Sequence, residues 1–141
     1  LEAKEHFGWP LYGKLIAKWG NIPINRKSVQ ESIKSIRKAE LKLKNENSII
    51  VFPEGSRTKN GELGKFKKMP FHLAKEAKVA IIPVGASGIF SLNHKGTLLM
   101  KPGRIKIKLG KPIPVEKVTS LSSVELMEET RERILSLIEY N

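Results

Sequence analysis

The chain has no cysteine, which excludes a disulfide framework and a thiolate metal site. Its three histidines, His6, His72 and His94, are scattered rather than clustered, so no imidazole metal spacing is present either. Aromatic residues make up only 6%, and neither an RNP box nor a zinc-finger spacing occurs, so the features that accompany nucleic-acid recognition are missing. No apolar run approaches the roughly 20 residues needed to span a bilayer, and no signal-peptide pattern opens the sequence. Any membrane anchor is therefore expected outside these residues. Acids are scarce: 14 Asp and Glu stand against 26 Lys and Arg, a net charge of +12 that favours an anionic partner.

What is present fits one domain with a modest core, since 141 residues at 40% hydrophobic lie within the usual domain range. The most informative stretch is Phe52-Pro53-Glu54-Gly55-Ser56-Arg57-Thr58. It follows Ser48-Ile49-Ile50-Val51-Phe52, an unbroken apolar run of the kind found in a sheet covered on both faces. Pro53 ends the pairing, and the residues after it fall where open α/β sheets collect ligands, outside a strand's carboxyl end. Gly55 allows backbone N–H groups to approach a ligand closely, while Arg57 offers a planar fork matched to phosphate.

Helical and extended patterns alternate along the rest. Pro10 suits the first turn of a helix whose Leu11, Leu15, Ile16 and Trp19 share a face, with Gly20 as its stop. Ile22 to Ile24 reads as a short edge strand, because Pro23 cannot donate to a central ladder. Ser28-Val29-Gln30-Glu31 is a capping box before a helix with Val29, Ile33, Ile36 and Leu43 spaced for burial. Pro70 to Ala77 predicts a short helix and Val79 to Val84 a second apolar strand. Leu98 to Met100 and Arg104 to Leu109 flank Pro102-Gly103 as a hairpin, with Arg104, Lys106 and Lys108 on a solvated face. Lys111 to Ser123 is linker-like, and Ser122 to Glu125 caps a last helix with Met127, Ile134, Leu137 and Ile138 turned to the sheet. The expected class is α/β, a mixed and largely parallel sheet flanked by helices, in one domain over 1–141.

Three blocks occur together and in order: Gly20-Asn21-Ile22-Pro23-Ile24-Asn25-Arg26, the central Phe52 to Arg57 with its basic continuation Lys59 to Lys68, and Val79-Ala80-Ile81-Ile82-Pro83-Val84. With Ala3-Lys4-Glu5 and Pro10-Leu11-Tyr12-Gly13 ahead of them, they resemble the phospholipid acyltransferase family typified by 1-acylglycerol-3-phosphate acyltransferase. The resemblance covers nearly the whole chain and is most specific in the central block. It implies a glycerophosphate acyltransferase-like fold and transfer of a fatty acyl group to a glycerophosphate hydroxyl. The donor is an acyl-CoA or acyl carrier protein thioester, the acceptor lysophosphatidic acid or a related glycerophosphate, and no cofactor is implied. On that pattern Arg57 grips the acceptor phosphate, Lys4 and Arg26 add positive charge, Glu54 orients the substrate, and Gly55 and Ser56 belong to the binding loop.

The family's catalytic element, a histidine followed by four residues and an aspartate, is absent from this chain. At that spacing His6 meets Leu11, His72 meets Ala77 and His94 meets Leu99. No catalytic residue is therefore assigned, and the chain is expected to be a fragment of a longer enzyme, truncated on its N-terminal side. The basic surface is then expected to face anionic phospholipid headgroups on the cytoplasmic side of a membrane. A basic nucleic-acid-binding module and a noncatalytic lipid-binding relative remain the competing readings. Trp9 and Trp19 suit a membrane interface, and the helical spacing of Trp19 suits core packing equally. His72, between Phe71 and Leu73, reads as a packed or surface residue.

Overall fold

The serine–glutamate spacing at Ser28 does start a helix. In the computed structural model, which describes residues 2–25, 28–92 and 101–139, Ser28 Oγ accepts a hydrogen bond from the Glu31 N–H at 3.3 Å and opens α2 (Val29–Lys44). Glu31 does not complete the box, because its carboxylate is bound by Lys4 Nζ at 2.7 Å. Its pKa is lowered, first by that lysine and then by Asn25. Ahead of α2 come β1 (Glu2–Ala3), a 3-10 helix (Lys4–Gly8), α1 (Tyr12–Lys18) and β2 (Pro23–Ile24). β1 and β2 pair in parallel, Glu2 opposite Pro23 and Ala3 opposite Ile24. With these two strands in the sheet among the described residues, Pro23 sits at an edge as its missing N–H requires.

These elements form one compact unit, Leu1–Val51, and the remainder forms a second, Phe52–Asn141. In the first, Gly13 lets α1 run against the 3-10 helix: a Cβ there would stand 2.2 Å from the Phe7 carbonyl oxygen. Ser35 Oγ donates to the Pro23 carbonyl at 2.6 Å, and Lys42 Nζ donates to that of Gly20 at 2.7 Å, which fasten α2 to the β2 segment. The buried ridge of α2 is Ser35 and Ala39, with Ile36 and Leu43 half-buried and Ile33 exposed. For α1 the expected face is buried only in part. Ile16 is buried, whereas Leu11, Leu15 and Trp19 are exposed, so Trp19 is not a core residue. Arg26, His94, Leu98 to Met100 and the side chain of Val29 lie outside the described residues.

The second unit is built around Phe66, Phe71, Ala74, Ile113, Val118, Leu126 and Ile134. They come from the end of the signature loop, α3 (Met69–Ala77), α5 (Val115–Ser120) and α6 (Ser123–Leu135). The linker expected between Lys111 and Ser123 is instead part of this core: Ile113 and Val118 are fully buried, each contributing about 1.5–3 kcal/mol of burial. Ile113 also exchanges two backbone hydrogen bonds with Ile81. Ser122 makes the complete capping box with Glu125, and Leu126, Thr130 and Ile134 form the buried stripe of α6. Ser48 to Phe52 is extended, but it joins no ladder among the described residues, and Ile50 and Phe52 are 81% and 76% exposed. The expectation of a strand covered on both faces is therefore not met: Ile49 and Val51 are half-buried, whereas Ile50 and Phe52 are open.

β3 (Val84–Ser87) precedes the short helix α4 (Ile89–Leu92) and pairs antiparallel with β4 (Lys106–Leu109), Val84 opposite Leu109 and Ser87 opposite Lys106. The fold is thus mixed α/β, with one parallel and one antiparallel pair. The lysine face of β4 is solvated as its alternation predicts, with Arg104 and Lys106 exposed and Lys108 half-buried. Glu139 lies across it, taking Lys106 at 2.8 Å and Lys108 at 2.5 Å, while its own N–H donates to Ser87 Oγ at 2.8 Å. The opposite face, with Ile107 and Leu109, is exposed. Alternation fixes which side chains share a face, and the Glu139 side chain pairs with the lysines of one of them.

Lys106 first and Lys108 second hold Glu139 at about 2, against an ordinary value of 4.5. Its contribution is present above the ordinary value and is lost as pH falls from about 4.5 to about 2. In Lys106→Ala the carboxyl midpoint, followed by side-chain NMR, is expected to rise toward 4.5. A midpoint that does not move would separate Glu139 from this lysine.

Candidate functional site

A single loop carries Glu54, Gly55, Ser56 and Arg57, and local geometry explains its shape. Pro53 follows Phe52 into a turn closed by the Gly55 N–H on the Phe52 carbonyl at 3.0 Å. Gly55 then takes φ 72°, a conformation that costs a side-chain-bearing residue more. At the far end the Lys67 N–H returns to the Pro53 carbonyl at 2.8 Å. Phe66, buried, stacks on Phe71 with ring centroids 6.1 Å apart and anchors the loop in the core. Arg131 reaches from α6 to the Leu63 carbonyl at 3.2 Å.

Within the loop the organising hydroxyl is that of Thr58. It accepts from the N–H groups of Asn60 and Gly61 at 3.4 and 3.2 Å and donates to Asn60 Oδ1 at 3.0 Å. Asn60 in turn binds Glu62 through its side-chain amide and accepts the Glu62 N–H. Thr58 thus makes the local side-chain-to-backbone bonds that shape the loop, while Ser56 is exposed. Sequence reasoning passed over Asn60 and Glu62, although Asn60-Gly61 is a turn signal.

Glu54 Oε2 accepts the Gly64 N–H at 2.7 Å, ten residues along, and so closes the loop on itself. The approach depends on Gly64, where a Cβ would come within 2.8 Å of that oxygen. Gly64→Ala is expected to displace the carboxylate and raise hydrogen exchange at the amide of residue 64 by about 10-fold. Unchanged exchange would rule out the clamp.

The closed loop surrounds an open hollow of about 350 Å³ lined by Arg57, Lys59 and Lys65 together with Glu54 and Glu62. Three cations against two carboxylates, one of the latter engaged with a backbone amide, leave a site suited to a small anion that also bears hydroxyl groups. Ser56 and Thr58 line the same hollow. Lys4 belongs to the other compact unit, where Glu31 binds it. His72 is exposed on α3, as its sequence position suggested. His6 is held by Glu2 at 2.5 Å and lies beside the Trp9 ring at 4.8 Å.

Comparison with known proteins shows what the chain is similar to. Residues 1–87, which include the turn and the hollow's lining, match the family described as Acyltransferase. The chain is 33% identical to the 1-acyl-sn-glycerol-3-phosphate acyltransferase of Cocos nucifera over 117 residues, which is 82% of this chain and 38% of that protein. It is 32% identical to the enzyme of the same name from Saccharomyces cerevisiae over 132 residues, 92% of this chain and 44% of that one. The crystal structure of the 1-acyl-sn-glycerophosphate (LPA) acyltransferase PlsC from Thermotoga maritima superimposes with a TM-score of 0.80 at 27% identity, covering 94% of this chain and 52% of that one. The chain thus spans 38% to 44% of these curated relatives' length. By the match over residues 1–87, it belongs to the Acyltransferase family.

Proposed function

We propose that this chain is the acceptor-binding part of an enzyme that acylates 1-acylglycerol 3-phosphate, making phosphatidic acid for phospholipid synthesis. The carrying observation is the clamped loop that presents Arg57 at a hollow shared with Lys59 and Lys65. In the reaction the acceptor hydroxyl oxygen attacks the thioester carbonyl of an acyl-CoA or acyl carrier protein. A C–O ester bond forms, the C–S bond breaks, and the thiol leaves with a proton. Arg57 makes charge-assisted bonds to the acceptor phosphate, and Gly55 gives the loop the turn that carries it there. Arg26 and Lys4 add positive charge on this reading, and Ser56 offers a hydroxyl at the rim. Glu54 acts first as the loop's clamp, orienting the acceptor through the shape it imposes.

Removal of the hydroxyl proton needs a base oriented by a carboxylate, and no histidine of residues 1–141 has an aspartate at the family spacing. The base is accordingly assigned to a part of the enzyme outside this sequence. The reaction is placed at the cytoplasmic surface of a membrane with anionic lipids, toward which the +12 charge is attractive. No described helix is long and apolar enough to cross a membrane. A thioester assay tests the reading. The full-length parent is expected to convert lysophosphatidic acid to phosphatidic acid, and the isolated 141-residue chain to leave it unchanged. Histidine-dependent turnover by the isolated chain would place the base within it and refute the assignment.

A further inference from the structure

Resting on the lipid-enzyme reading, we propose that the outward face of α1, between Trp9 and Trp19, docks onto an anionic phospholipid bilayer. Four large apolar side chains stand in water there: Leu11 is 83% exposed, Trp19 68%, Trp9 56% and Leu15 42%. Leu11, Leu15 and Trp19 recur at the spacing of four that lines up one helical stripe, while Ile16 and Gly13 face inward. Lys14 and Lys18, both exposed, lie on the same short helix.

The backbone works to keep this stripe outward. Leu11 sits at φ 60°, ψ −57°, the centre of a γ-turn closed by the Tyr12 N–H on the Pro10 carbonyl at 2.6 Å. That is the rare and strained hand of the turn, and here it holds an aliphatic side chain away from its own unit. Trp9 is not loose either, with the His6 and Tyr12 rings at 4.8 and 6.0 Å. An indole held at a surface, aliphatic side chains beside it and flexible ammonium groups around them match the interfacial zone of a bilayer, where tryptophan takes the headgroup level and lysines meet lipid phosphates. A second copy is a poor occupant, since Lys14 and Lys18 would face their own counterparts on a chain of charge +12.

The chain has two tryptophans, Trp9 and Trp19, both exposed and flanking α1, so its intrinsic fluorescence reports on the proposed contact. With vesicles of equal parts phosphatidylcholine and phosphatidylglycerol, emission is expected to shift to the blue and to be quenched by lipids brominated in the acyl chains. Leu11→Ser, at an exposed site, should weaken partitioning about 10-fold. The pair Lys14→Glu and Lys18→Glu should abolish the preference over pure phosphatidylcholine. Vesicle binding with unshifted emission would move docking to another surface and overturn the proposal, as would absence of binding. A lipid-independent blue shift that grows with protein concentration would assign the face to a second copy. The same shift in the lipid-free parent would assign it to the parent's own structure, and either result overturns the proposal. Calorimetric binding of a short-chain, monomeric lysophosphatidic acid reports the acceptor site separately. Its loss with docking intact would refute the acceptor reading, and its persistence without docking would refute only the bilayer contact.

Discussion

In the full-length enzyme, Arg57→Ala is expected to lower kcat/KM for lysophosphatidic acid by about 10-fold to 150-fold, the equivalent of about 1.5 to 3 kcal/mol for charge-assisted hydrogen bonds. The loop around Arg57 is held by the Glu54–Gly64 bond, the Thr58 network and the Phe66 anchor. Removing the guanidinium therefore leaves the hollow's shape while taking away its fork. Arg57→Lys should recover only part of the loss, because a point charge does not reproduce two parallel bonds to phosphate. Melting temperature, measured alongside, should change little, since Arg57 is exposed. Unchanged kinetics in a folded Arg57→Ala enzyme would remove this residue from acceptor binding.

Phe71→Ala is expected to be the most damaging single change to the second unit. Phe71 is 3% exposed, at the centre of the core, and stacked on Phe66 with the rings inclined by only 10°. Truncating a buried phenylalanine costs about 3–5 kcal/mol from lost burial and the cavity left behind. In a unit of this size that lowers the melting temperature by more than about 10 °C. The consequence reaches the site, because Phe66 ends the signature loop and loses the ring it rests on. Hydrogen exchange at Lys67, whose N–H closes the loop on Pro53, should rise along with the fall in stability. A calorimetric shift below about 3 °C would mean that this aromatic pair is not the anchor described.

Where a signal was local, the sequence carried it. Ser122 and Glu125 form the box their spacing implies. Ser28 and Glu31 form half of theirs, because Lys4, distant in sequence, takes the carboxylate. Contacts set by distant residues were harder to read. Two-residue β1 is too short to show alternation, so its pairing with β2 could not be anticipated. In α1 the pattern placed Ile16 correctly in the core but Leu11, Leu15 and Trp19 stand outside it, since periodicity does not say which side a neighbour will cover. At the site, Glu54, Gly55, Ser56 and Arg57 were legible as neighbours in sequence. The closure of Glu54 on Gly64, ten residues on, was not, nor was the cross-bonding of Thr58, Asn60 and Glu62 that turns a flexible basic stretch into a shaped rim.

The claim that this loop receives the acceptor phosphate is tested most directly by backbone amide NMR of the chain titrated with a short-chain lysophosphatidic acid, and in parallel with the monoacylglycerol that lacks the phosphate. The account predicts saturable shifts concentrated between Glu54 and Lys65 for the phosphorylated ligand, lost in Arg57→Ala and absent for the neutral one. Equal shifts from both ligands, or shifts that leave residues 54 to 65 untouched, would contradict it.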